Sequence, residues 1–105
     1  MGRSILAVTT WEGTPAALLL LTAASREAAP IHEKAGARNP RMWRAFTGGT
    51  SERMFYSVEF DDVESYGRFS DSLVASGWWD QTVKAVSEAH PNLKMIETTL
   101  YINDL

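Results

Sequence analysis

Residues 42–60, MWRAFTGGTSERMFYSVEF, say most about the fold because they predict two strands joined by a tight loop. Apolar and aromatic residues dominate 42–49 and 53–60, as they do in strands. The GGTSE between them supplies two glycines for the left-handed backbone that a hairpin loop needs. We therefore predict an antiparallel hairpin over this stretch.

The segments before the hairpin predict a strand followed by a helix. Residues 4–11, SILAVTTW, are rich in apolar and β-branched side chains. Thr14 is a good N-cap and Pro15 a good first helical residue, so a helix should begin at about residue 15. Pro30 is expected to end or kink this helix, unless HEKAGA forms a last turn that closes at Gly36.

The segments after the hairpin predict a second helix and a last strand. Asp61 and Asp62 offer N-caps, and the helix after them is interrupted by Gly77 and ended by the His-Pro-Asn at 90–92. Residues 94–102, KMIETTLYI, alternate as a strand does. The order strand, helix, strand, strand, helix, strand is that of an α+β, ferredoxin-like βαββαβ domain covering residues 1–105. Such a domain has a four-stranded antiparallel sheet with both helices on one face.

Two adjacent tryptophans stand directly after Gly77. Trp79 continues a helical stripe with Val83 and Val86, which predicts that it packs against the sheet as core. Trp78 points about 100° away from it, at the edge of the helix. We predict that Trp78 lies over a cavity rim or against a partner subunit.

Composition bounds the classes of function. The 105 residues carry a formal net charge of −3 without any basic cluster, so nucleic acid is an unexpected partner. The chain has no cysteine, which removes disulfides and thiolate chemistry and fits a reducing compartment. The longest apolar run, AALLLL, is too short to span a bilayer and does not fit a secretory leader. We expect a soluble cytoplasmic protein that does not enter a membrane.

The sheet face away from the helices is predicted to differ from the polar surface that a lone domain of this kind would have. If the more aliphatic sets, such as Leu6 and Val8 of the first strand, face the helices, the other face carries a mixed aromatic and acidic set. This set comprises Trp11, Phe55, Tyr101, Glu59, Glu97, Thr9 and Thr99. A face of this kind is expected to be covered by the sheet of an identical chain, which predicts a homodimer packed sheet to sheet.

The segment 36–73 resembles a known superfamily. Its points of similarity are Gly36-Ala37, the Gly48-Gly49 loop, Val58-Glu59-Phe60 before two aspartates, and Tyr66-Gly67 before an apolar helix. On these residues the chain resembles the dimeric α+β barrel proteins, and within them the NIPSNAP-type and uncharacterised small bacterial members. The resemblance implies two ferredoxin-like subunits that form a barrel, often with a ligand cavity in each half.

The resemblance does not imply one reaction. The superfamily includes cofactor-free monooxygenases, haem-degrading enzymes, dye-decolourising peroxidases and members without known activity. Its haem-using branches rely on a histidine from a helix, and neither His32 nor His90 lies in a segment that matches that ligand. We expect no cofactor and no metal.

Three residues are candidates for acid, base or positioning roles: His32, Glu59 and Tyr101. The competing interpretation of His32 is a surface histidine at a frayed helix end. Arg44 is a candidate partner for Glu59 inside a barrel, because a buried carboxylate needs a cation or donors. That pair has a purely structural alternative.

Further residues are candidates for contacting a flat apolar ligand: Trp11, Trp43, Arg44, Phe55, Tyr56, Trp78 and Glu97. Aromatic residues also dominate interface cores, so dimer packing explains the same set. The sequence thus predicts an uncharacterised homodimeric barrel protein that binds a small apolar or aromatic molecule between sheet and helices. The alternatives are a cofactor-independent monooxygenase or isomerase acting on a small aromatic, polyketide-like substrate, and an interaction module with a filled barrel.

Overall fold

The structure, a computed structural model, describes residues 3–105 and has the predicted ferredoxin-like βαββαβ fold. The strands are β1 (Ile5–Gly13), β2 (Arg38–Arg44), β3 (Arg53–Phe60) and β4 (Leu93–Ile102). The helices are α1 (Pro15–Lys34), α2 (Val63–Ala75) and α3 (Trp78–Ala89). All four strands form one antiparallel sheet in the order β2-β3-β1-β4, and the helices pack on one of its faces.

Local signals set the helix boundaries. Thr14 caps α1, because its side chain accepts a hydrogen bond from the backbone amide of Ala17. Asp62 caps α2, because its carboxylate accepts a hydrogen bond from the backbone amide of Ser65. Gly77 has a left-handed backbone with φ of 80° and separates α2 from α3, as predicted. Pro30 does not end α1, which continues to Lys34. The alternative prediction, a last turn closing near Gly36, is therefore confirmed.

The second strand lies earlier than predicted. It runs over Arg38–Arg44 instead of 42–49, and the residues after it form bends around Gly48 and Gly49. The strand was not recognised because Pro40 and four charged or amide side chains interrupt the apolar alternation on which the prediction was based. Because β2 is an edge of the sheet, a proline and exposed polar residues are tolerated there.

The core consists of two clusters between the sheet and the helices. One contains Ile5, Ala7, Val58, Phe60 and Phe69, and the fully buried Phe60 is at its centre. The other lies toward the opposite end of the sheet and is built from Trp11, Leu18, Leu21, Met54 and Leu93.

Strand register corrects the predicted faces. Ile5 pairs with Phe60, and Trp11 with Met54, so these β1 residues face the helices while Leu6 and Val8 point away. The assignment of Trp11 and Thr9 to the outer face was therefore wrong. A register shift at Thr10/Trp11 likewise turns Met95 of β4 toward the helices.

Candidate functional site

A cavity of about 790 Å³ lies between the sheet and the helices. Its floor is formed by β1 and β3 through Ala7, Thr9, Trp11, Tyr56 and Val58. Helix α1 forms one wall, and α2 with α3 forms the other. This volume is within the range of small-molecule sites in proteins.

Small side chains keep the cavity open. Alanines line it from both helical walls: Ala17, Ala24, Ala28, Ala85 and Ala89. Leu20 and Trp79 also line it, yet they are 72% and 39% exposed, so the cavity opens to solvent between α1 and α3. A ligand can thus enter without unfolding of the sheet.

His32 is the polar side chain best enclosed by this site. It follows Leu18, Leu21 and Ala28 at helical spacings, which place it on the stripe of α1 that faces the sheet. Its side chain is buried, and Nδ1 lies 2.7 Å from the hydroxyl oxygen of Tyr56 on β3. The interpretation of His32 as a surface residue at a frayed helix end is therefore wrong.

Three aromatic rings surround the imidazole of His32. Its ring centroid lies 4.7 Å from that of Trp78, 5.6 Å from Phe69 and 5.4 Å from Tyr56, all in edge-to-face orientations. Such contacts hold the ring in one orientation. Nε2 of His32 is buried without a hydrogen-bond partner among the described residues.

Burial makes this pair of residues electrically neutral. Desolvation lowers the pKa of His32 from 6.5 to about 4, because the charged imidazolium loses its hydration. Desolvation, followed by repulsion from the Glu33 carboxylate, raises the pKa of Tyr56 to about 12. At neutral pH the site therefore offers an uncharged imidazole bonded to an un-ionised phenol.

The structure divides the predicted site residues between the two faces of the sheet. Four lie on the helix side and line the cavity: Trp11, His32, Tyr56 and Trp78. Five belong to the opposite face or its edge: Trp43, Phe55, Glu59, Glu97 and Tyr101. The three predicted catalytic residues are thus not brought together within one chain, since the sheet separates His32 from Glu59 and Tyr101.

Arg44 is not the partner of Glu59. It pairs in register with Met54 at the end of β2, whereas Glu59 lies opposite Arg38 at the other end of that strand. A carboxylate oxygen of Glu59 instead accepts a hydrogen bond of 3.2 Å from the Asn39 amide. The proposed ion pair was wrong because the register places Arg44 beside Met54, on the helix side, and Glu59 on the outer face near the other end of β3.

The prediction that Trp79 packs as core was wrong, whereas Trp78 lines the cavity, which is one of the two positions predicted for it. Trp78 is half-buried and packs against the Phe60 cluster and against His32, whereas Trp79 is the more exposed ring. Both line the cavity. Helical periodicity identified two different directions but not which of them faced the sheet.

The outer face of the sheet carries apolar side chains without cover from this chain. Leu6, Trp43 and Tyr101 are 37%, 52% and 54% exposed. The Trp43 indole donates a 2.8 Å hydrogen bond to the hydroxyl of Ser57 and borders a shallow hollow that also touches Val8. Leu6 and Val8 belong to this face, although they were predicted to point toward the helices.

Sequence reasoning missed Phe69 and Ala28 as parts of the site. Phe69 lies at helical spacing from Tyr66 and Leu73, as an ordinary core residue would, and alanines carry no chemical signature. The periodicity of α1 would have placed Ala28 and His32 on the buried stripe. Nothing in the sequence pairs His32 with Tyr56, which is 24 residues away.

Residues 3–105 contain neither a membrane-spanning helix nor a cluster of metal ligands. No helix within this range is long and apolar enough to cross a membrane. Within the same range, no group of three or more His, Cys, Asp or Glu side chains is placed to hold a metal ion.

Comparisons with known proteins establish the fold. No protein-family model matches the chain, and no curated protein matches it significantly. A dimeric ferredoxin-like protein from an uncultured marine organism superposes with a TM-score of 0.75 at 16% identity, covering 98% of this chain and 97% of that one. MupZ from Pseudomonas fluorescens gives 0.65 at 12% identity, over 98% and 74% of the two chains. A conserved protein from Methanosarcina mazei gives 0.69 at 15% identity, over 94% and 91%.

Proposed function

We propose that this chain is a homodimeric α+β barrel protein of the NIPSNAP type, a single-domain cytoplasmic protein that binds a small apolar or aromatic molecule. The observation that carries the proposal is the open cavity of about 790 Å³ with His32 and Tyr56 in its wall. Its lining is apolar apart from this pair and a few other polar groups, which is the composition of small-molecule sites.

The uncovered outer sheet face supports the dimer. Apolar side chains on a sheet face favour burial against a second surface, and the simplest such surface is the same face of an identical chain. The similar marine protein is described as dimeric. The cavity lies on the other side of the sheet, so both chains of such a dimer would keep an open site.

Binding is favoured over the enzymatic alternative. A cofactor-independent monooxygenase or isomerase would use the same cavity, but a general base works best with a pKa near the operating pH. The pKa of His32, about 4, makes it a weak proton acceptor at neutral pH. The neutral pair is better suited to orienting a ligand than to removing a proton.

The cavity is tested with N-phenyl-1-naphthylamine, an uncharged dye that fluoresces in apolar surroundings. We expect saturable binding to the wild type and about tenfold weaker binding to Ala28→Leu, since overfilling a packed site costs on the order of 1–3 kcal/mol. Titration by fluorescence gives both dissociation constants.

Ala23→Leu is the matched control for the dye. Ala23 lies on the same helix, is exposed and does not line the cavity, so its variant should bind the dye as the wild type does. Equal binding by all three proteins would refute the cavity as the site.

The dimer is tested by Val8→Lys. Val8 lies near the middle of the outer face, on β1, where a charge would be buried in a sheet-to-sheet interface. We expect the wild type to sediment at twice the 11.7 kDa chain mass and Val8→Lys to sediment as a monomer. Val63→Lys, at a 60% exposed valine on α2, should remain dimeric. A monomeric wild type at micromolar concentration would contradict the proposed assembly.

A further inference from the structure

We propose that the cavity selects an uncharged ring compound bearing a hydroxyl group, which is held by the hydrogen-bonded pair His32 and Tyr56. This inference rests on the proposed binding function and adds the class of ligand.

The hydrogen bond between His32 and Tyr56 can run in either direction, and in both cases the Tyr56 hydroxyl can form one more hydrogen bond. If the Tyr56 hydroxyl donates to Nδ1 of His32, the phenol oxygen can still accept a hydrogen bond. If Nδ1–H donates instead, the Tyr56 hydroxyl is free to donate. A ligand hydroxyl, which both donates and accepts, suits the two arrangements equally, whereas a carbonyl suits only one.

The unpartnered Nε2 of His32 is independent evidence that the pair is adapted to a ligand. His32 is 6% exposed, and a buried polar atom without a partner is costly. The imidazole lines a cavity instead of being packed on every side. An apolar side chain would fill the same space without an unpaired polar atom. The presence of a histidine here is therefore better explained by ligand binding than by a contribution to stability.

Charges around the cavity favour a neutral ligand. Among the described lining residues Glu27 is the only charged one, and it is exposed at the rim. Besides desolvation, repulsion from the Glu33 carboxylate raises the pKa of Tyr56, so the hydrogen-bonding pair lies in the field of a negative charge. No arginine or lysine lines the cavity within residues 3–105 to offset a bound anion. A carboxylate or phenolate would therefore lose its hydration without gaining a cation.

The surrounding rings favour a ring compound. Trp78 and Phe69 meet the imidazole edge to face, and Trp79 lies next to Trp78 with ring centroids 6.4 Å apart. A flat ligand can pack against these rings while its hydroxyl reaches Tyr56. Trp78 follows Gly77 directly, so its ring stands at the start of α3 and at the wall of the cavity.

Three probes with the same ring system test the inference: naphthalene, 2-naphthol and 2-naphthoate. Each competes with N-phenyl-1-naphthylamine at pH 7 in the dimeric wild type and in Tyr56→Phe. We expect 2-naphthol to bind the wild type about tenfold more tightly than either of the other two probes, which corresponds to one well-made hydrogen bond. In Tyr56→Phe this preference over naphthalene should disappear, with each competitor's affinity calculated from the dissociation constant of the dye measured for the same variant.

A second measurement detects in the wild type whether the ligand hydroxyl interacts with the His32–Tyr56 pair. The ring nitrogens of His32 are observed by long-range ¹H–¹⁵N NMR, and their shifts should change with 2-naphthol and change much less with naphthalene. Equal affinities for 2-naphthol and naphthalene, an unchanged preference in Tyr56→Phe, or tighter binding of 2-naphthoate would each overturn the inference. Those results would leave the binding function intact if the dye still binds, whereas absence of dye binding would refute the function itself.

Discussion

Replacing Phe60 by alanine is expected to lower the free energy of unfolding by about 3–5 kcal/mol, the range for truncating a buried aromatic side chain. Phe60 is fully buried, and its ring contacts Tyr66 and Phe69 of α2 with centroid distances of 5.3 and 4.9 Å. Its removal would leave a void between β3 and α2 that the rigid sheet cannot close. Urea denaturation at fixed protein concentration measures the loss, since the stability of the proposed dimer would depend on concentration.

Phe46→Ala is the matched control for this core substitution. Phe46 is 94% exposed, and its truncation should change the free energy of unfolding by less than about 0.5 kcal/mol. If Phe60→Ala does not fold, Phe60→Leu gives a smaller loss that is still measurable. Equal stabilities for the Phe46 and Phe60 variants would contradict the packing described for this core.

Lowering the pH from 6.5 to 4 is expected to destabilise the protein through His32 by at most about 3 kcal/mol. Burial lowers the pKa of His32 from 6.5 to about 4 in the folded chain. Above pH 6.5 the imidazole is neutral in both states, so stability does not change with pH through this group. Between 6.5 and 4 the unfolded chain binds a proton that the folded chain does not, and stability falls. Below about 4 both states are protonated and the loss levels off.

The His32→Gln variant isolates this effect. Its free energy of unfolding should be lower than that of the wild type at pH 7 but should lose the pH dependence between 6.5 and 4. His90→Gln, at an exposed histidine, should keep the dependence. Ser65 lowers the pKa of Asp62 below 3.8, so the stability contributed by Asp62 is lost only below this window. A wild type and a His32→Gln variant with parallel pH profiles would show that His32 titrates normally.

Local signals explain which elements were predictable. Thr14 and Asp62 cap their helices through side-chain oxygens, and Gly77 supplies a left-handed residue, so each acts through its immediate neighbours. Strand β3 was predicted with its observed bounds because apolar residues alternate along it without interruption. Strand β2 was misplaced because an edge strand need not alternate in this way.

The candidate site was predictable only as a list of residue types. His32, Tyr56 and Trp78 were each proposed from the sequence, but so were Glu59 and Tyr101, which lie on the other face of the sheet. Successive side chains of a strand point to opposite faces of the sheet, so alternation divides them into two sets. It does not show which set faces the helices. The pairing of Ile5 with Phe60 makes that choice for β1, and it depends on a strand more than 50 residues away.

The order of elements, their capping and the ferredoxin-like fold could be predicted from the sequence alone, because these features depend on neighbouring residues and on the periodicity of each segment. Tertiary structure alone decided the register of β1, the bulge at Thr10/Trp11 and the meeting of His32 with Tyr56. These features result from packing between segments distant in the chain, where one alternation pattern allows two faces. The cavity belongs to this second group, since it is the space that the small side chains of α1 and α3 leave above the sheet.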